Sequence, residues 1–173
     1  VCETANDNGG GIYNNGGSPT LGNLILLENA ADFGGGMVCS GPGPANPTLT
    51  SVIFSGNVSA QSGGGLYNLS GGSPALVNAV FWNNSALAGG GMSNWDTASP
   101  TLTNVTFANN TTTAADAGGG MDDQDNLNLT TMRNTVFWGN TLPQIKNSNS
   151  TPIISFSDIQ GSGGSVAWVN ALG

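Results

Sequence analysis

Short apolar runs recur along this chain at a fixed phase, and each has the length and alternation of a strand rather than a helix. Aligned on a proline, four of them read "PTLGNLILLEN", "PTLTSVIFSGN", "PALVNAVFWNN" and "PTLTNVTFANN". Looser copies, "TTMRNTVFWGN" and "PIISFSDIQGS", follow toward the C-terminus. From Pro19, Pro47, Pro74 and Pro100 it is always seven residues to Leu26, Phe54, Phe81 and Phe107. Three residues further stand Asn29, Asn57, Asn84 and Asn110, and Phe137 with Asn140 keep that interval. Alternation within the frame turns Leu21, Leu49, Leu76, Leu102 and Met132 inward, before a bend at asparagine. Leu24, Val52, Ala79 and Val105, and then the Phe column, are expected inward as well.

Between the frames lie glycine triplets beginning at positions 9, 34, 63, 89 and 118, in steps of 25, 29, 26 and 29. An apolar residue follows each: Ile12, Met37, Leu66, Met92 and Met121. All length variation falls between triplet and proline, or between the frame's last asparagine and the next triplet, so both stretches are expected to be outward loops. A rigid frame with a period of 25–29 residues and almost no helical pattern predicts an all-β solenoid of five to six coils. One coil cannot bury its own apolar face, whereas coils stacked roughly 4.8 Å apart share a core. The expectation is a single domain over 1–173, with coils starting near 9, 34, 63, 89 and 118 and a degenerate one near 143.

Stacking gives the columns their roles. Phe54, Phe81, Phe107 and Phe137 form an internal file whose rings can stack. Two asparagine files, Asn23, Asn78, Asn104, Asn134 and Asn29, Asn57, Asn84, Asn110, Asn140, suit corners. Asparagine tolerates left-handed backbone, and its amide can bond the amide one coil away. Glycine triplets in phase with strands are stacked corners where a Cβ would clash or φ is positive. A phosphate loop is excluded, because no Lys-Ser/Thr follows any triplet.

Outward columns are the candidate binding face. Thr48, Thr50, Thr101 and Thr103 stand in Thr-x-Thr pairs, the pattern of an ice-binding surface, interrupted by Gly22, Val77 and Arg133. Beside them Ile25, Ile53, Val80, Thr106 and Val136 form a β-branched rank. Period-2 alternation turns this rank outward as a contact surface; an Asn bend that reset the alternation would make it core. Trp82 and Trp138 follow the Phe file at a corner.

Composition narrows the function. There is no His, the only bases are Arg133 and Lys146, and the net charge is −8. That excludes nucleic acid and anionic membrane as partners, and it repels acidic sugars unless metal ions intervene. With 7% charged residues, solubility rests on Asn, Ser, Thr and Gly, as in secreted repeat proteins. The longest apolar stretch, "LILL", is strand-sized, so membrane association would require an anchor elsewhere. Cys2 and Cys39 fall at different points of the repeat and are expected as buried or free thiols. The sequons at Asn57, Asn68 and Asn104 are what chance yields in a chain this rich in Asn and Thr.

For chemistry there is one dense acid group, Asp122, Asp123 and Asp125 in "MDDQDN", with Asp116 just before the same corner. It is the candidate for flanking a sugar or holding Ca²⁺, but it lacks the glycine and terminal glutamate of a calcium-hand loop. The expectation is a solvated acidic loop, with no cofactor. Neither base is accompanied by an acid cluster at its own coil position, and without His there is no Ser-His-Asp triad.

"GGGIYN", "GGGLYN" and "GGGMSN", alternating with "FSGN", "FWNN", "FANN" and "FWGN", resemble the GGA(I/L/V) and FxxN repeats of polymorphic outer-membrane proteins. The resemblance covers roughly Gly9 to Ser162, with Gly in place of the family's Ala. It implies a right-handed parallel β-helix that is exported, displayed and in several members adhesive. Both ends read as mid-repeat, which suggests a fragment of a longer solenoid or a unit that stacks end to end. The function expected is thus a non-catalytic, extracellular or cell-surface module, structural or adhesive. Its partners would be other copies of itself, a host or cell-surface component, or glycans. The alternative is a carbohydrate-active or carbohydrate-binding module, and ice binding is third.

Overall fold

In the computed structural model, which describes residues 7–41, 43, 45–124 and 128–162, the chain is an all-β solenoid of about five turns. Each strand pairs in parallel with its counterpart one repeat away: Leu49 faces Leu76, Leu76 faces Leu102, and Leu102 faces Met132. Three parallel sheets run along the stack. A narrow six-stranded sheet follows the triplets: Ile12–Asn15, Met37–Ser40, Leu66–Asn68, Met92–Asn94, Met121–Asp123 and Ile145–Asn147. A broad ten-stranded sheet carries the proline frames. In the first two coils these are single strands, Thr20–Leu27 and Thr48–Ser55; afterwards each splits in two, as in Ala75–Val77 and Val80–Trp82.

The third sheet corrects an expectation. The stretch between the frame's last asparagine and the next triplet begins as a strand, not a loop: Ala30–Phe33, Val58–Ser62, Ser85–Ala86 and Thr111–Thr112. Its apolar pattern is too short to be read as a strand, and it exists because neighbouring coils supply hydrogen-bond partners. The variable residues follow it, which is why its register slips between Ala31 and Phe33.

Packing follows the columns. Leu49, Val52 and Phe54, with their counterparts in coils three to five, are fully buried together with Met37, Leu66, Met92 and Met121. Leu21 and Leu24, in the first described coil, are only partly buried. Phe54, Phe81, Phe107 and Phe137 stack with centroids 4.5, 4.6 and 4.5 Å apart and planes within 6°. Strand spacing imposes this separation, which suits offset ring stacking. The first four frames open on a proline whose carbonyl accepts from the next coil, as Pro47 O does from Ala75 N–H, while its missing N–H falls outside the strand.

The triplets answer to three different contacts. In the third coil Gly63 has φ +68°, a left-handed turn. A methyl on Gly64 would come 2.5 Å from the Ser85 carbonyl oxygen, and one on Gly65 would come 2.7 Å from Cδ1 of Phe81. The third glycine is therefore the seat of the Phe file, which is why the two motifs travel together.

The two asparagine files divide the roles assigned to them. Asn23, Asn78, Asn104 and Asn134 have φ of 50–56° and are exposed; Ser51 takes the same conformation in the second coil. In the FxxN motif the left-handed residue is instead the one before the asparagine: Glu28, Gly56, Asn83, Asn109 or Gly139. The asparagine itself turns inward, because its amide has more to satisfy there. Asn84 Nδ2 donates to Asn110 Oδ1 at 2.9 Å and to the Phe54 carbonyl at 2.9 Å. Its Oδ1 accepts from Asn57 N–H and Asn57 Nδ2. All four capacities of a buried amide are used, a pattern that a carboxylate, having no donor, cannot supply.

Candidate functional site

Two places hold the residues that sequence reasoning singled out. The first is the outer surface of the broad sheet. Thr48, Thr50 and Thr101 are exposed, and Thr103 is half-buried. Ala75 and Val77 stand in register between the two Thr pairs and break the hydroxyl rows. Ile25 and Ile53 are exposed, and Val80, Thr106 and Val136 are half-buried in the same column. This rank is not core: Val52 and Phe54 face the core while Ile53 faces out, because the left-handed bend at Ser51 shifts the alternation so that Leu49 and Val52, three residues apart, point the same way. At the edge of this face the indoles of Trp82 and Trp138 are 51% and 55% exposed. Arg133, in register with Thr103, lays its guanidinium over the Phe156 ring, 4.8 Å from the centroid.

The second place is the acidic group, and here the expectation of a solvated loop is overturned. Asp122 and Asp123 lie in the strand Met121–Asp123 of the narrow sheet and are 1% and 0% exposed. Adjacent strand residues face opposite sides, so the two carboxylates do not converge on one ion or one sugar. Among the described residues no three His, Cys, Asp or Glu side chains come together as a metal site would require. Asp125, proposed with them, and Cys2 lie outside the described residues.

Asp123 points into the solenoid, in a column with Asn14, Cys39, Asn68, Asn94 and Asn147. Asn68 Nδ2 donates to Asn94 Oδ1 at 2.7 Å, and Asn128 Nδ2 lies 3.4 Å from Asp123 Oδ1. Asp123 Oδ2 and Asn128 Oδ1 have no partner. Burial pushes the Asp123 carboxyl up to about 6, against hydrogen bonds from Thr130, Asn94 and Asn128 that pull it down. Protonation would make Oδ2 a donor in a cluster otherwise rich in acceptors.

Asp122 points the other way, in a column with Tyr67, Ser93 and Lys146. Burial also pushes its carboxyl up to about 6, opposed by hydrogen bonds from Gln124 and Gly118 and by the Lys146 charge. Lys146 is not isolated from acids, as its sequence position suggested. It is in register with Asp122 and pairs with exposed Asp116 across one coil. This column is closed from outside by the chain itself: the Phe33 ring stacks on Tyr67 at 5.3 Å, and Gly118 N–H donates to Asp122.

Cys39 is buried, and that burial pushes its thiol up to about 12, which leaves it unreactive. Of the three sequons named, Asn57 and Asn68 are wholly buried and Asn104 is exposed. The acid burial had a signal in the repeat: counting three residues past each triplet places Asp123 in the asparagine column. The cover over Asp122 has a weaker signal: the first glycine of its triplet, Gly118, stands four residues before it, as Gly63 and Gly89 stand before buried Tyr67 and Ser93. Comparison with known protein families, curated proteins and solved structures finds no match.

Proposed function

We propose that this chain is a non-catalytic module of an extracellular or cell-surface protein, whose stacked coils present the broad sheet as an adhesive face. The carrying observation is the outer surface of that sheet. Exposed Thr48, Thr50, Thr101, Ile25, Ile53, Trp82 and Trp138 are ranked in register across it, with Arg133 its only base. Flat, ranked and largely uncharged surface of this kind serves contact rather than turnover. The finer reading is a right-handed parallel β-helix of the type in polymorphic outer-membrane proteins, supported by the GGG and FxxN motifs.

The buried carboxylates favour this reading over a carbohydrate-active one. Glycoside hydrolysis needs two carboxyl groups facing each other across an accessible cleft. Asp122 and Asp123 lie on opposite sides of one covered strand.

The test coats microspheres with the chain and measures their attachment to cell surfaces, while polysaccharides are assayed for released reducing ends. Attachment is expected to fall to the level of bare microspheres when Ile25→Asp and Ile53→Asp are combined, with no sugar released. Attachment no better than bare spheres, or cleavage of any polysaccharide, would overturn the reading.

A further inference from the structure

Trp82 and Trp138 occupy one outward column of the broad sheet, in the order Ser55, Trp82, Ala108, Trp138. Two strand spacings separate the indoles, about 9.6 Å along the stack. Ser55 and Ala108, small and half-buried, alternate with the two Trp residues, which are 51% and 55% exposed. Next to them at the bend, Asn83 and Asn109 are exposed, with φ of 56° and 55°. Gly139 holds the matching place beside Trp138, where a methyl would meet Asn109 Oδ1 at 2.5 Å, so this amide lies over the backbone next to the second indole residue. On the other side, Thr106 lies two residues before Ala108 on the same strand, so both face outward.

We propose that Trp82 and Trp138 form a two-point platform for a neutral, extended β-linked polysaccharide lying along the stacking axis. This deepens the adhesive reading and rests on it. A pyranose presents a face of polarised C–H bonds, which meets the electron-rich face of an indole, and a rim of hydroxyls, which exchange hydrogen bonds with amides and Thr hydroxyls. Two aromatic stations with a small residue between them suit alternate units of a ribbon-like chain, whose disaccharide repeat is comparable with two coils. A second copy of the protein would instead favour continuous apolar cover. Charge selects against anionic polymers: the chain carries −8, the only base on this face is engaged with Phe156, and exposed Asp158 is in register with Val136.

The test is retention of the full chain on amorphous cellulose and chitin, and its migration in gels containing soluble mixed-linkage β-glucan, with polygalacturonate as the anionic control. The unmodified chain is expected to be retained on at least one neutral β-glycan and not on polygalacturonate. Trp82→Ala and Trp138→Ala should each weaken retention about tenfold or more, and the double variant should abolish it. Trp95→Ala, an exposed indole just past the narrow-sheet strand Met92–Asn94 and off this face, should leave retention unchanged. Both indoles lie outside the core, so circular dichroism verifies that the variants stay folded. No retention on any neutral glycan, or equal retention of the double variant, would overturn the platform. Sedimentation showing self-association lost in the double variant, without glycan retention, would overturn it in favour of a second copy. Cell attachment without glycan retention would remove the platform while leaving the adhesive reading; loss of both would remove both.

Discussion

Asp123 stands where four other coils place asparagine, and its energetics follow from that misfit. A carboxylate there has lost water, and desolvation outweighs the donors around it. The same holds for Asp122, so both carboxyls titrate near 6 in the folded chain against 3.8 for the ordinary group. Between those values the native state binds more protons than the unfolded one, so stability falls as pH rises through that window and is level above it. Urea midpoints are therefore expected to be higher at pH 4 than at pH 7. Asp123→Asn should raise stability at pH 7 by roughly 1–3 kcal/mol, do little at pH 4, and flatten the dependence, leaving the part due to Asp122. A drop in stability at pH 7 would contradict the placement of Asp123 in the asparagine column. Columns with an unbroken repeat, such as the Phe file and Asn57 to Asn140, were readable residue by residue because each position answers to its copies. Phe156 was not: it takes the left-handed place of an asparagine, with φ 50°, in a coil whose sequence has drifted.

At the scale of the element, the frame is rigid and its surroundings are not. In a strand, one extra residue turns every later side chain to the opposite face. Inserting a single residue between Thr103 and Asn104 would move Val105 and Phe107 out of the core and is expected to cost on the order of 3 kcal/mol or more, from the loss of their burial. The same insertion after Thr113, where coil length already varies, should change stability by less than about 1 kcal/mol. Chemical denaturation of the two variants checks the contrast, and equal costs would refute the division into frame and spacer. The broad and narrow sheets were legible because their strands carry the apolar frame and the triplet's apolar follower. The short sheet was not, since Ser85–Ala86 and Thr111–Thr112 are two-residue strands with no hydrophobic signature. Their pairing is set by the stacking on either side.

For the whole molecule, nearest-neighbour stacking carries stability, so position along the axis matters. Phe107 packs between Phe81 and Phe137, whereas Leu26 holds the first place of the same column and is 9% exposed. Phe107→Ala is expected to cost about 3–5 kcal/mol and Leu26→Ala clearly less, measured by urea unfolding. A reversed order would mean that the coils do not support one another as a stack. The face on which adhesion and the proposed glycan platform depend also belongs to this scale. Trp82 and Trp138 are 56 residues apart in sequence, and only the stack makes them two coils apart on one surface.

By itself, the sequence determined the all-β stack, its phase, and which side chains file inward, because strand geometry converts a fixed period directly into a column. Only the tertiary structure decided which outer columns stay open and which are closed. Tyr67, Ser93 and Asp122 face outward by alternation yet are buried, because the chain folds back over them: Phe33 stacks on Tyr67, and the turn at the first glycine of each triplet lies against this column, as Gly89 does on Ser93 and Gly118 on Asp122. Water exclusion depends on what else covers a surface, and a strand's own alternation does not specify that cover.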